Sequence, residues 1–156
     1  FERVIAFDVS EPHIAAARKW TAGRGLHNIE FVLVRTPADL QRIQGHDFFV
    51  SALVLQHNPP PIMIDVLTAA FSGANPGSSF FVQAPTYARS YAFQADRYLE
   101  SWSPSMEMHA IPQKDILSLA RKYGVFPLEI TPDLSVGASD DWASSVFVMR
   151  KDQNTN

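Results

Sequence analysis

Six short apolar runs divide the chain, and the segments between them carry apolar residues at helical spacing. Alternation of that kind points to an α/β protein built around a mostly parallel sheet. Val4-Ile5-Ala6-Phe7 is the first run and ends in Asp8. Ser10 and Pro12 then supply an N-cap and an early helical proline, and a helix is expected from about Pro12 to Thr21, stopped by Gly23 and Gly25. Residues 29–34 form a second predicted strand, and residues 37–43 a short helix or turn. Residues 48–55 are apolar except for Ser51, so they read as a third and central strand.

Past Pro59-Pro60-Pro61, the residues Met63, Val66, Leu67, Ala70 and Phe71 fall on one helical face. Asn75-Pro76-Gly77 reads as a turn, followed by a fourth strand at residues 79–83 that Pro85 ends. Tyr91, Ala95, Tyr98, Leu99 and Trp102 suggest an aromatic helical stripe, closed by Ser103-Pro104-Ser105. A helix opening at Pro112 carries Ile116, Leu119, Ala120 and Tyr123 and stops at Gly124. Residues 128–131 and 145–149 are the last two strands. The expected organisation is one domain over residues 1–150 and a frayed polar tail over residues 151–156.

Composition removes several function classes. With 156 residues, 46% hydrophobic and 19% charged, the chain has globular proportions. It has no cysteine, which excludes a disulfide framework, a thiolate nucleophile and a thiolate metal site, and fits a reducing, cytoplasmic setting. Thirteen basic against sixteen acidic residues give a net charge of −3, so no basic field is present for nucleic acid. No apolar stretch approaches the roughly 20 residues of a membrane-spanning helix. The histidines and acids lack metal-ligand spacing, and no bound metal is expected.

In open α/β sheets, ligands sit beyond the carboxyl ends of the strands. That rule selects Asp8 to Ser10, Arg35 to Ala38, Gln56 to Asn58 and Ala84 to Tyr87. A strand-end carboxylate such as Asp8 can accept two hydrogen bonds from a ribose diol, or it can cap the helix near Ser10.

These segments, taken in order, resemble the class I S-adenosylmethionine-dependent methyltransferases. Residues 4–18 resemble that family's second strand and following helix. Residues 28–40 resemble its third strand and adenine-side loop. Asp47 to His57 is similar to its fourth strand, and Asn75-Pro76-Gly77 with residues 80–87 to its fifth. The resemblance implies a Rossmann-like sheet with helices on both faces, an antiparallel last strand, and S-adenosylmethionine as cofactor. It further implies that Asp8 accepts the ribose hydroxyls, Val9 lies against adenine, and Thr36, Pro37 and Ala38 line the adenine edge. Ala52 and Leu53 would lie under the methionine part. Gln56 and His57 would face the transferring methyl and the acceptor. By position, His57 at a strand end reads as a base or as a packing or loop residue, Tyr87 as a residue that orients the acceptor or as a half-buried core tyrosine, and Tyr91 as part of an acceptor-facing or helix-packing aromatic stripe.

Two departures accompany the resemblance. Thr36 stands where many members have Asp, while Asp39 matches a position that serves the loop itself. The family's G-x-G-x-G loop and first, central strand have no counterpart in the sequence, which begins at Phe1 without an initiator Met. The expectation is therefore a portion of a longer protein, or a first strand supplied from elsewhere. A small-molecule or sugar acceptor is the default partner, with no nucleic acid and no membrane. His109 reads as structural, and Asp140-Asp141-Trp142 as a substrate rim or an exposed hairpin loop. A nicotinamide-dependent oxidoreductase and a non-catalytic interaction domain remain alternatives. The first lacks support from a Tyr-x-x-x-Lys pattern, since Tyr91, Ala95, Trp102 and Pro127 follow the four tyrosines at that spacing.

Overall fold

The computed structural model describes residues 1–100, 107–134 and 139–153. The chain divides into two compact units, Phe1–Arg42 and Ile43–Asn156.

The first unit is a β-α-β segment. Strand β1 (Val4–Asp8) and strand β2 (Ile29–Leu33) pair in parallel, with Val4 opposite Ile29 and Asp8 opposite Leu33. Helix α1 (Glu11–Ala22) connects them. Its start follows from the sequence: Ser10 Oγ accepts the His13 N–H at 3.3 Å, and Pro12 fills the first turn, where its missing donor costs nothing. Ile14 and Thr21 stand two turns apart on the buried side of α1, and Val32 and Leu40 are buried as well. A 3-10 turn, Pro37–Arg42, closes the unit.

The second unit holds a four-stranded sheet in the order β3-β4-β6-β5. These strands are β3 (His46–Ser51), β4 (Ala74–Ala88), β5 (Val125–Asp133) and β6 (Trp142–Lys151). β3 and β4 are parallel, and β6 runs antiparallel to both of its neighbours, giving the expected antiparallel last strand. Helices α2 (Pro60–Gly73), α3 (Ala95–Glu100) and α4 (Gln113–Lys122) complete it. The predicted apolar face of α2 is the buried one: Met63, Leu67, Ala70 and Phe71 are all fully enclosed. Phe71 meets Phe80 of β4 edge to face at 5.3 Å. Ile116 and Ala120 of α4 and Phe147 and Met149 of β6 belong to the same core. Gly124, with φ at 69°, ends α4 as its sequence position suggests.

Several expectations need correction. The strand expected at residues 48–55 stops at Ser51, because Leu53 takes a left-handed φ of 60°. Among the described residues β3 pairs with β4 alone, and Phe48 and Val50 are exposed, so in this sheet it is an edge and not a centre. β1 likewise pairs with β2 alone. The Asn75-Pro76-Gly77 turn does not break the chain but forms a bulge inside β4. Pairing jumps from His46–Ala74 to Phe48–Ser79, Gly77 takes φ of 81°, and Ser78 Oγ closes the bulge on the His46 and Asn75 carbonyls at 2.7 and 2.6 Å.

Pro85 does not end β4 either. The ladder to β3 is finished at Val82, so no partner there needs the missing N–H, and the strand continues against β6 to Ala88. Among the described residues the aromatic stripe is helical over α3, where Leu99 is exposed. Ser90, at φ 56°, breaks the backbone just before Tyr91, and Trp102 to Ser105 lie outside the described residues. Lys151, assigned to the tail, ends β6 instead and is buried, its ammonium donating to the carbonyls of Phe71, Ser72 and Ala74.

Candidate functional site

In the first unit, parallel pairing brings the carboxyl ends of β1 and β2 side by side, joined by a 2.9 Å bond from Val34 N–H to the Asp8 carbonyl. Asp8 Oδ1 accepts the Ser10 N–H at 2.7 Å, and Oδ2 lies 3.6 Å from His13 Nδ1. The carboxylate thus shapes the start of α1 and still keeps free lone pairs, with its side chain 41% exposed. Val9 beside it shows 74% of its surface.

Thr36, Pro37 and Ala38 form the facing turn. Its organiser is Asp39, whose Oδ2 accepts from Arg35 N, Thr36 N and Thr36 Oγ1 at 2.9, 2.8 and 3.2 Å. Those bonds, led by the Arg35 amide, hold the Asp39 carboxyl below its ordinary range. The Arg35 guanidinium reaches Glu11 at 3.5 Å, tying this turn to the first turn of α1. One end of the unit therefore presents Asp8, Val9 and the residue 36–38 turn together.

In the second unit, Ala52, Leu53, Gln56 and His57 follow β3. Ala52 and Leu53 are exposed. The left-handed Leu53 is held by Gln83, whose Oε1 accepts its N–H at 2.9 Å. Gln56 is buried, and His57 is exposed. The nitrogens of His57 are both occupied: Nδ1 is 3.3 Å from the Glu107 carbonyl, and Nε2 is 3.2 Å from Gln56 Nε2. With a carbonyl facing Nδ1 and an amide donor facing Nε2, the ring carries its proton on Nδ1 and accepts at Nε2.

Tyr87, near the end of β4, is 51% exposed. Tyr91 is half-buried and turns back toward the strap at residues 107–111, where its hydroxyl lies 2.8 Å from His109 Nδ1. The strap is fixed at two points: His109 N–H donates to the Gln56 carbonyl at 2.8 Å, and Ile111 N–H to the Pro85 carbonyl at 3.0 Å. Gln56, His57 and Tyr91 therefore converge through this strap.

His109 is 5% exposed and ringed by Tyr91, Phe93 and Tyr98, with centroids 5.7–6.1 Å away. Its Nε2 lies 3.2 Å from Glu107 Oε2. Burial holds its imidazole below the ordinary value despite the nearby carboxylate, and burial pushes the Tyr91 phenol up. Among the described residues, Ser51 Oγ, Gln56 Oε1 and Gln83 Nε2 at this end are buried without a protein partner.

Sequence reasoning missed Gln83, Glu107 and the coupling of Tyr91 to His109. One signal was available: Glu107 and His109 are two apart, so in an extended segment they project to the same side. The Asp140-Asp141-Trp142 stretch is a tight turn bridged by Ser139 and Trp142, and Asp141 is tied to Arg89 by a 3.1 Å ion pair.

No family model and no curated protein matches the sequence. Solved structures do match its fold. Magnesium protoporphyrin IX methyltransferase ChlM from Synechocystis PCC 6803, with bound SAH, is 14% identical, with a TM-score of 0.62 over 96% of this chain and 64% of that one. A SAM-dependent methyltransferase from Methanosarcina mazei is 16% identical, with a TM-score of 0.65 over 96% of this chain and 82% of that one. The [4+2]-cyclase SpnF is 13% identical, with a TM-score of 0.66 over 96% of this chain and 66% of that one. Among the described residues no helix is long and apolar enough to cross a membrane.

Proposed function

We propose that this chain, which has the fold of the class I S-adenosylmethionine-dependent methyltransferases, belongs to an enzyme that moves a methyl group from S-adenosylmethionine to a small-molecule or sugar acceptor. The observation that carries the reading is the Asp8 carboxylate at the end of β1, beside exposed Val9 and the residue 36–38 turn. A ribose diol needs an acceptor with spare lone pairs, and Asp8 has them after its bond to Ser10. A flat purine needs an apolar surface, and Val9 offers one.

The roles divide by unit. In the first, Asp8 accepts the ribose hydroxyls, Val9 lies on the adenine face, and Thr36, Pro37 and Ala38 line its edge. In the second, Ala52 and Leu53 lie under the methionine portion. The Leu53 N–H is already given to Gln83, so its contribution there is shape rather than a donated hydrogen bond. Gln56, His57, Tyr87 and Tyr91 serve the acceptor; the ring nitrogens of His57 are engaged by the Glu107 carbonyl and the Gln56 amide, so His57 orients the acceptor rather than taking its proton. Bound S-adenosylmethionine would supply an activated methyl on a sulfonium. The residues of the chain then align the acceptor and remove its proton where it has one.

Titration calorimetry of the full-length protein tests this reading, with S-adenosylhomocysteine and NADH as separate ligands. Heat with the first and none with the second supports it. Heat with NADH alone moves the chain to the oxidoreductases. No heat with either leaves an interaction module, and the methyltransferase reading fails.

A further inference from the structure

Tyr91, His109 and Glu107 form a continuous hydrogen-bonded chain of titratable groups. The Tyr91 hydroxyl is 2.8 Å from His109 Nδ1, and His109 Nε2 is 3.2 Å from Glu107 Oε2. The tautomer follows from the partners. An ionised carboxylate only accepts, so the imidazole proton sits on Nε2, facing Glu107. Nδ1 is then bare and accepts the phenolic O–H. This is a neutral phenol, a neutral imidazole and a carboxylate arranged to pass a proton inward.

The position of the chain gives it a use. Tyr91 lies just past the carboxyl end of β4, its N–H bonded to the Ala88 carbonyl at 3.2 Å, which is the end of such a sheet where ligands bind. The imidazole is enclosed by three aromatic rings and cannot exchange its proton freely with water. Glu107 at the other end is one-third exposed, so a proton can leave there.

We propose that Tyr91, His109 and Glu107 are a proton relay that takes up the proton of a hydroxyl acceptor, which makes the reaction an O-methylation of an alcohol or phenol. This rests on the methyltransferase reading. The acceptor O–H bond breaks, and its proton passes to the Tyr91 oxygen as the Tyr91 proton passes to His109 Nδ1. The freed electron pair on the acceptor oxygen forms the new bond to the methyl carbon. The bond from that carbon to sulfur breaks with its pair left on sulfur, as a neutral thioether. The resulting imidazolium is stabilised by Glu107 until the proton is released to water. A neutral amine can attack through its own lone pair and needs no such device, so the relay favours hydroxyl acceptors.

Two measurements on the full-length protein decide it. Nitrogen-15 histidine spectra report the His109 tautomer: an Nε2–H ring whose Nδ1 signal moves in Tyr91→Phe supports the relay, and an Nδ1–H ring overturns it whatever the activity. Labelled-methyl transfer is then followed into a panel of phenols and alcohols and a matched panel of amines. Label in the hydroxyl panel, with kcat reduced about 100-fold in Tyr91→Phe and in Glu107→Gln at unchanged S-adenosylhomocysteine affinity, supports the assignment. Label confined to the amines, label in neither panel, or a wild-type kcat in Tyr91→Phe overturns it. Loss of S-adenosylhomocysteine binding by the unaltered protein instead removes the methyltransferase reading, while the histidine spectra still judge the hydrogen-bonded chain.

Discussion

Gly73 and Ile43 approach so closely that a β-carbon on Gly73 would stand 2.1 Å from the Ile43 carbonyl oxygen. The obstacle is backbone, which cannot swing aside as a side chain can. The same contact aligns the Gly73 carbonyl to accept the Gly45 N–H at 2.7 Å. Gly73→Ala should therefore destabilise the second unit by about 3 kcal/mol, the upper part of the usual overpacking range. A urea midpoint close to wild type would contradict the close approach.

Leu53 stores strain. A branched-chain residue at φ 60° costs about 1 kcal/mol or more relative to glycine. Its side chain is half exposed, so little packing is lost on removal. Leu53→Gly should keep the N–H bond to Gln83 and raise stability by about 1 kcal/mol. Gln83→Leu should do the opposite by removing the acceptor, and the amide of Leu53 should then exchange faster with solvent. Equal exchange in wild type and Gln83→Leu would show that Gln83 does not hold the loop.

Two imidazoles set an acid limit. His46 is held below its ordinary value by burial and by Lys151, and His109 by burial. Because both fold in the neutral form, the unfolded chain takes up protons first as pH falls. The stability they contribute is complete above the unfolded value of about 6.5 and is lost as pH drops from there toward the folded values. His46 packs among Phe49 and Phe80 at 6.0 Å from each, so His46→Phe suits the site and should flatten the slope of stability between pH 7.5 and 5.5. An unchanged slope would assign the acid sensitivity elsewhere.

Lys151 caps α2 from β6. Its ammonium donates at 3.0, 3.4 and 2.9 Å to carbonyls at the end of that helix and the start of β4. Lys151→Met keeps the apolar stem and strands the carbonyls, and should cost about 2–3 kcal/mol in chemical unfolding. An unchanged unfolding midpoint would show that water replaces the ammonium without loss.

Asp8 has a structural use and, under the proposed function, a ligand-facing one, and the two can be separated. Asp8→Asn keeps an oxygen for the Ser10 N–H but loses the charge that strengthens bonds from ribose hydroxyls. Thermal stability should stay near wild type while S-adenosylhomocysteine binds about tenfold more weakly, a difference of about 1.4 kcal/mol. Undiminished binding in Asp8→Asn would move the ribose contact to another group.

Much of this was written locally. Ser10 with Pro12 announces α1, Gly124 ends α4, and the apolar stripe of α2 becomes its buried face, because caps and periodicity act within a few residues. Asp39 was also read as a loop organiser, and its three bonds show it as one. Illegible features depend on distant partners. Pro85 looked like a stop, yet it lies where the ladder to β3 has already ended. Tyr91 looked like one turn of an aromatic helix, but Ser90 breaks the backbone and the ring turns to His109, eighteen residues on. Gln83 gave no pattern at all, since its role is set by a loop thirty residues earlier in the chain.

The strap at residues 107–111 has one more consequence. Residue 88 leaves β4, and Ile111 returns to bond with Pro85 of the same strand. Among the described residues between these two points, none pairs with a strand of the sheet. The described ties of this stretch are to the loop after β3 and to the turn before β6: His109 N–H bonds the Gln56 carbonyl, and Arg89 N–H the Asp141 carbonyl. Changes of sequence there thus leave the ladders joining β3, β4, β6 and β5 as they are.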